Sequence, residues 1–342
     1  MTIQYLTSLN HTHWDDYVIN HPDGTFYHLS CWKNIIEDSF GHQTYYMTAM
    51  EEGKIVGVLP VVFIQSKMFG RILSSMPFLN FGGVLGDNGE VENSLIQESR
   101  KLLNANSADY FEFRHTHKVA SLNHTQEHKV SMVVELQSDT EILWNGFHTK
   151  HRTDVRKALK QDFSIKKGSS ELLKDFYQLI SRGWRDLGTP LYDFPFFERI
   201  FKFLAKNVEI YVVYSDDKPV ATAFNGLLND TVEGMWTYSL PEYRNQNLNY
   251  FLYWEMIRQS GIRGYKYFHL GRSTKDSGAV FFKKKWNAAP QQLYWQYLLP
   301  ENAEPPQLNV DNPKYKLAIN AWKRLPLWLT RIIGPQIAKN IP

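Results

Sequence analysis

The sequence predicts an α/β protein of two tandem lobes, each a mixed β-sheet flanked by helices, followed by a basic helical tail. Three observations carry this expectation. Strand-like and helix-like segments alternate, and the order strand, two helices, three strands, helix, strand, helix, strand occurs twice, offset by roughly 160 residues. A chain of 342 residues can bury two cores of ordinary size. A hydrophobic share of 43% with 15% aromatics suits a folded interior, although rings this dense also suit sugar or lipid contacts. The expected division is residues 1–138 for the first lobe, 139–162 for a basic linking helix, 163–300 for the second lobe and 301–342 for a linker and basic amphipathic tail.

The first lobe opens with a strand near Ile3–Leu6. Helices follow around Trp14–Ile19 and His28–Asp38, the latter with Leu29, Trp32, Ile35 and Ile36 in one stripe. Strands Tyr45–Met50 and Lys54–Ile64 flank Glu51-Glu52-Gly53, which is hairpin chemistry. After Ile72–Ser75, the loop Pro77–Gly83 leads to a helix, Glu92–Asn104, and to strands Asp109–Arg114 and Val130–Leu136. Glu141–Gln161 is helical by the spacing of Trp144, Phe147, Val155 and Leu159. Its other face repeats Arg152, Arg156 and Lys160, and like charges at that spacing cost about 0.2–0.5 kcal/mol per pair. An anionic substrate would offset the cost; a solvated basic face is the alternative.

The second lobe begins with a strand, Phe163–Lys167, and helices Glu171–Leu187 and Phe194–Ala205. Val208–Tyr214, Pro219–Leu228 and Thr231–Tyr238 form a meander with turns at Asp216-Asp217-Lys218 and Leu228-Asn229-Asp230. In its last strand Val232, Gly234, Trp236 and Tyr238 share one face and Glu233 lies on the other. The polar turn Ser239–Asn247 leads to a helix, Asn249–Arg263, closed by Gly261 and Gly264. A short strand, Tyr267–Leu270, ends in Gly271-Arg272-Ser273; a second helix carries Phe281–Asn287, and Gln292–Leu299 is the last strand. This order sets a helix N-terminus beside a sheet, where backbone N–H groups can hold an anion. After the proline-bearing linker Glu301–Val310, the tail holds Lys314, Lys316, Lys323, Arg324, Arg331 and Lys339 and no acid. Leu317, Ala318, Ala321, Trp322 and Leu325 share a face until Pro326, and Leu327–Ile333 is a second apolar piece. Such a tail either lies on an anionic membrane surface or packs back onto a lobe.

Composition narrows the function. A net charge of +3 does not argue for nucleic acid, and no DNA-binding module is recognisable. A single cysteine, Cys31, excludes an internal disulfide and a cysteine-built metal site. The start, Met1-Thr2-Ile3-Gln4-Tyr5-Leu6, lacks the pattern of a signal peptide, which favours the cytoplasm. The longest apolar run, Ile55–Ile64, is too short to span a bilayer. The pairs His11/His13 and His115/His117 lack a third ligand at a recognisable spacing, so no metal is expected. Nothing resembles a Ser-His-Asp or Cys-His-Asn arrangement.

The order strand, turn, helix, strand over residues 231–270 is similar to the heart of the GNAT acetyltransferase fold. The words PEYRNQNLNYFLYWEMI, FHLGRS and FFKKKWN resemble the FemAB-related branch, with its peptidoglycan-bridge aminoacyltransferases and BioF2-like acyltransferase domains. NPKY and WKRLPL in the tail resemble the FemAB-related proteins associated with PEP-CTERM/exosortase exopolysaccharide loci. The resemblance runs from about His28 to Pro335 and implies two GNAT-like lobes. One departure matters. GNAT enzymes bring a Gln/Arg-x-x-Gly-x-Gly/Ala loop against the pyrophosphate of coenzyme A, whereas Arg244–Asn249 contains no glycine. Backbone bearing Cβ atoms approaches a phosphate less closely, which argues against coenzyme A. Acyl-CoA and aminoacyl-tRNA both stay open as donors, and no bound cofactor is expected.

FemAB-related aminoacyltransferases carry a Phe-Lys-Lys-x-aromatic word whose first lysine contacts a phosphate of the carrier-linked acceptor; by position this is Lys283. Arg272, beside Ser273, can fork onto a phosphate or carboxylate, the alternative being a structural ion pair. Arg244, Asn245 and Asn249 form the anion-type turn, and the resemblance favours a substrate-facing role for Arg152 and Arg156. An attacking amine must lose a proton, for which Glu233 or Tyr238 is the candidate; the plain alternative for Glu233 is an exposed strand face. The expected function is direct transfer of an acyl or aminoacyl group, without a covalent enzyme intermediate. The acceptor is an amine or hydroxyl of a cell-envelope glycan, exopolysaccharide or peptidoglycan precursor, carried on a phosphate-bearing lipid or nucleotide. The other class is a non-catalytic GNAT-fold subunit that binds a lipid-linked glycan precursor or an exopolysaccharide assembly complex.

Overall fold

The computed structural model describes residues 1–7, 10–306 and 313–341, the side chains of 313–315 excepted. Part of the expected linker, from residue 307, lies outside the described residues. The chain divides into two compact units: Met1–Lys129 with Gln292–Asn309 and Lys339–Pro342, and Val130–Gln291 with Val310–Ala338.

The first unit contains β1 (Thr2–Tyr5), α1 (His11–Asn20), α2 (Trp32–Phe40), β2 (Gln43–Glu51), β3 (Lys54–Ser66), β4 (Gly70–Ser74), β5 (Leu85–Gly86), α3 (Gly89–Ala105) and β6 (Tyr110–His115). Its sheet runs β1, β2, β3, β4, β6 and then β13 (Ala289–Leu298), with β5 paired to β3. It is mixed, since β4 and β6 are parallel while β6 and β13 are antiparallel. The hairpin turn falls where the sequence places it: Glu51 pairs with Lys54, and Glu52 and Gly53 both take positive φ. The side chain of Asn88 caps α3 by accepting from the N–H groups of Glu90 and Val91.

The last strand departs from expectation. The element order assigns Gln292–Leu299 to the second lobe, yet Tyr294–Leu298 pairs with Phe111–His115. Its central Gln296, fully buried, explains why. The amide oxygen accepts from the Val119 N–H at 2.8 Å, and the amide nitrogen donates to the Val119 carbonyl at 2.9 Å. A polar residue so placed pairs with loop backbone that would otherwise be orphaned.

The second unit contains β7 (His124–Glu135, from Val130 onward), α4 (Thr140–Gly146), α5 (Thr149–Leu159), β8 (Ser164–Gly168), α6 (Leu173–Leu187) and α7 (Phe194–Leu204). These precede β9 (Val208–Ser215), β10 (Lys218–Leu228), β11 (Thr231–Ser239), α8 (Leu248–Ile262), β12 (Tyr267–Thr274), α9 (Gly278–Lys284), α10 (Pro313–Arg324) and α11 (Leu327–Ala338). The strand order is β7, β12, β11, β10, β9, β8. The meander β9–β10–β11 is antiparallel as read from its turn residues, and β11 pairs with β12 in parallel. Its core gathers Val213, Ala223, Val232, Leu252, Ile257 and Phe268.

The linking segment is two helices rather than one. Phe147 leaves helical geometry at ψ 145° and sinks into the core, and the His148 ring accepts from the Lys150 N–H at 3.2 Å to start α5. An interior aromatic and a capping residue side by side outweigh the helical spacing. The tail also folds onto this unit. Trp322, Thr330, Gly334 and Ala338 are buried, a Cβ on Gly188 at the end of α6 would meet Ile319, and the Arg331 guanidinium lies 5.5 Å from the Tyr177 ring centroid. Of the expected stripe only Trp322 is buried, while Leu317, Ala318 and Ala321 are exposed, so the tail packs through Trp322 and α11 rather than through the face the sequence groups. Fully burying a large apolar side chain is worth about 1.5–3 kcal/mol, so Trp322 alone is a substantial anchor.

Candidate functional site

The site is built where β11 and β12 stop pairing. Their parallel register runs from Thr231↔Tyr267 to Glu233↔His269. Just beyond it, Gly234 and Gly271 approach each other so closely that a Cβ on Gly271 would stand 2.7 Å from the Gly234 carbonyl oxygen. Gly271 has φ +78°, so the position demands glycine on both counts. Into this junction α9 sends Lys283, whose Nζ donates to the Gly271 carbonyl at 2.8 Å and to Ser273 Oγ at 2.9 Å. The side chain is only 7% exposed, and burial pulls its pKa down to about 8. The carbonyl exposed by the bend at Gly271 is the physical reason Lys283 goes inside.

Glu233 is buried, which removes the exposed-face alternative. Its Oε1 lies 3.6 Å from His269 Nδ1, which in turn lies 3.2 Å from Ser131 Oγ on β7. Burial pushes His269 down to about 4, so at neutral pH Glu233 faces a neutral imidazole rather than a cation. A buried acidic side chain beside a neutral ring and a hydroxyl has the partners for moving a proton.

The third component is the start of α8. A single 3₁₀ segment, Pro241–Gln246, carries the chain to Asn247, which adopts φ 58°. Asparagine tolerates this left-handed conformation, so the turn is made without the glycine that the sequence lacks. No side chain caps α8, and Arg244, Asn245 and Asn249 are exposed around its first turn. Asn247 Nδ2 donates to the Asp154 carbonyl at 3.4 Å, tying the turn to α5. From α9, Lys285 Nζ donates to Tyr250 Oη at 2.9 Å, a bond that raises its pKa, and Phe282 packs on Tyr250 and Tyr253 at 5.5 and 5.1 Å. Thus α9 holds β12 through Lys283 and α8 through Phe282 and Lys285.

The other expected residues make contacts of their own. Tyr238 Oη donates to Asp186 Oδ2 of α6 at 3.2 Å, and burial, reinforced by Asp186, pushes the phenol up to about 12. A phenol so raised is a poor base. Arg156 lies 5.1 Å from the Trp144 ring centroid, and Arg152 Nη1 donates to Asn145 Oδ1 at 3.1 Å, so both arginines contact α4. Arg272 is half-buried in β12 between Gly271 and Ser273.

Three residues that sequence reasoning missed are Ser131, His269 and His151. The first two converge with Glu233 only through strand order and parallel register, although His269 stands two residues before the glycine of FHLGRS. The His151 ring is 3% exposed, stands 4.2 Å from the Trp286 ring, and neither of its nitrogens has a hydrogen-bond partner.

Comparison with known proteins agrees with this architecture. Residues 147–284 match the family described as an acetyltransferase (GNAT) domain. A lipid II:glycine glycyltransferase of Staphylococcus aureus is 23% identical over 256 residues, covering 67% of this chain and 59% of the relative. The chain therefore spans somewhat under two thirds of that relative's length. The crystal structure of FemX has a TM-score of 0.67 at 16% identity and covers 93% of this chain and 100% of its own. A tandem GNAT protein from the clavulanic acid biosynthesis pathway has a TM-score of 0.56 at 10% identity, covering 90% and 99%.

Proposed function

We propose that this FemAB-like chain of two GNAT-type lobes transfers an acyl or aminoacyl group directly onto an amine or hydroxyl of a phosphate-bearing cell-envelope precursor. The observation that carries the reading is the junction itself. Lys283, Gly271 and Ser273 meet where β11 and β12 part, with Glu233 one residue before the junction and an uncapped α8 joined to the same helix.

The bend at Gly271 opens a place beside the parting strands where the donor's carbonyl can lie while the acceptor approaches. The acceptor nitrogen or oxygen attacks the acyl carbon. The new amide or ester bond forms as the donor's ester C–O bond, or thioester C–S bond, breaks. The acceptor's proton passes to Glu233 and then to the leaving oxygen or sulfur. Lys283 uses two N–H groups on Gly271 and Ser273, leaving its third for the carrier phosphate. Lys285 and the open first turn of α8 attract the same anion. Aminoacyl-tRNA suits the turn at Arg244–Asn249 better than coenzyme A, because the exposed side chains of Arg244, Asn245, Gln246 and Asn249 stand where a pyrophosphate-binding loop is bare. Envelope glycan, exopolysaccharide and peptidoglycan precursors all carry the required phosphate, and a lipid carrier places the reaction at a membrane surface.

The same glycine-free turn favours a second reading, a subunit that binds the precursor and transfers nothing. Purified full chain is incubated with lipid-linked precursor and either charged tRNA or acyl-CoA, and products are read by mass spectrometry. Transfer with one donor, reduced about 100-fold or more in Glu233→Gln, is the expected result. Precursor binding with no transfer from either donor moves the conclusion to the second reading. No precursor binding overturns both.

A further inference from the structure

Burial splits α11 into two faces. Thr330, Gly334 and Ala338 are buried, while Trp328 and Ile332, offset from them by two positions or about 200° around the axis, are 64% and 63% exposed. Trp328 is the one exposed tryptophan among the described residues. Thus one side of this helix already has its partner, and the other turns a tryptophan and an isoleucine, one turn apart, to solvent. Adjacent α10 adds exposed Leu317 together with exposed Lys316, Lys323 and Arg324. From residue 312 to 342 there are six cations and no acid. Among the described residues no helix is long and apolar enough to cross a membrane.

We propose that the outward face of α11, centred on Trp328 and Ile332, docks onto an anionic phospholipid bilayer, with the cations of α10 drawn to lipid phosphates. The charge selects this occupant. A second copy of the tail would bring the same positive field and no carboxylate to meet it, whereas an anionic bilayer offers negative charge above and hydrocarbon below. Tryptophan and isoleucine at one level suit the boundary between headgroups and acyl chains, and the helix then lies in the surface instead of spanning it. The docking face is separate from the Lys283 junction, so it stands or falls independently of the transfer reaction.

The test is co-sedimentation of the full chain with vesicles of phosphatidylglycerol in phosphatidylcholine and with vesicles of phosphatidylcholine alone. The wild type should pellet with the anionic vesicles. The double variant W328S/I332S should bind them about ten-fold more weakly with an unchanged melting temperature, because both positions are exposed. If that variant fails to fold, K323E/R324E, also at exposed positions, should weaken binding to anionic vesicles alone. Absence of wild-type pelleting, equal pelleting with neutral vesicles, or full binding by the folded variants overturns the proposal. So does concentration-dependent self-association of the wild type that W328S/I332S abolishes, without vesicle binding.

Discussion

Replacing Lys283 by methionine keeps most of the side-chain volume and removes the ammonium group, and the two consequences oppose each other. The folded-state pKa of about 8, against 10.5 for an ordinary lysine, means that burial charges the protonated form a penalty of roughly 3 kcal/mol. Methionine escapes it. Against this, the Gly271 carbonyl and Ser273 Oγ lose a charged donor, at about 1–3 kcal/mol each. The net change in stability at pH 7 should therefore lie between about 1 kcal/mol gained and about 3 kcal/mol lost, because the two effects oppose each other. The pH dependence is sharper. Between the two pKa values the unfolded chain holds a proton that the folded chain has released, so wild-type stability rises as pH climbs from 8 toward 10.5 and is lost again as pH falls through 8. Lys283→Met has no such group. Urea denaturation of both proteins at pH 7 and pH 10 should show the variant losing about 2.5 kcal/mol relative to wild type at the higher pH. Taking the difference between the proteins cancels every other titrating group. A difference that does not change with pH would mean that Lys283 is not buried in this junction.

Two further substitutions probe the frame around the site. Gly271→Ala should destabilise the protein by roughly 2 kcal/mol or more, from left-handed strain plus the contact with the Gly234 carbonyl, and should lower transfer; an unchanged urea midpoint would refute the close approach. Arg263 grips Glu209 of β9 through two bonds of 2.6 and 2.8 Å, and Glu209 is buried. Arg263→Ala should cost about 2 kcal/mol, less than the 3–5 of a fully buried pair because the arginine is partly exposed. The thermal midpoint reports it, and Arg263→Lys should recover only part of the loss, since a lysine cannot bond in a fork.

What the sequence disclosed was local. Turn residues located the β2–β3 hairpin and the β9–β11 meander, and one apolar helix with glycines at its end located α8. Non-local decisions stayed hidden. Nothing near Lys283 in the chain announces that the carbonyl of Gly271 will need a donor. Glu233 and His269 are brought opposite each other by a parallel register whose crossover spans α8. Arg152 and Arg156 have the spacing of an anion-binding stripe, but the break at Phe147 places Asn145 and Trp144 where both guanidinium groups reach them. The left-handed turn before α8 is made by Asn247, a residue whose conformation the surrounding polar sequence does not single out.

Gln296 makes the first unit depend on a segment synthesised only after most of the second unit. Its partner His115 precedes it by 181 residues, and everything between Val130 and Gln291 belongs to the other unit. Domains usually fold in the order in which they leave the ribosome. Here residues 1–129 emerge first yet wait, with the Val119 N–H and the edge of β6 unpaired, until the second unit has been made. The second unit can close its meander during that interval, and the first is completed only when β13 arrives. A fragment ending at Lys129 would carry a permanent sheet edge, so the two lobes, whatever their evolutionary history, cannot be separated by cutting the chain once.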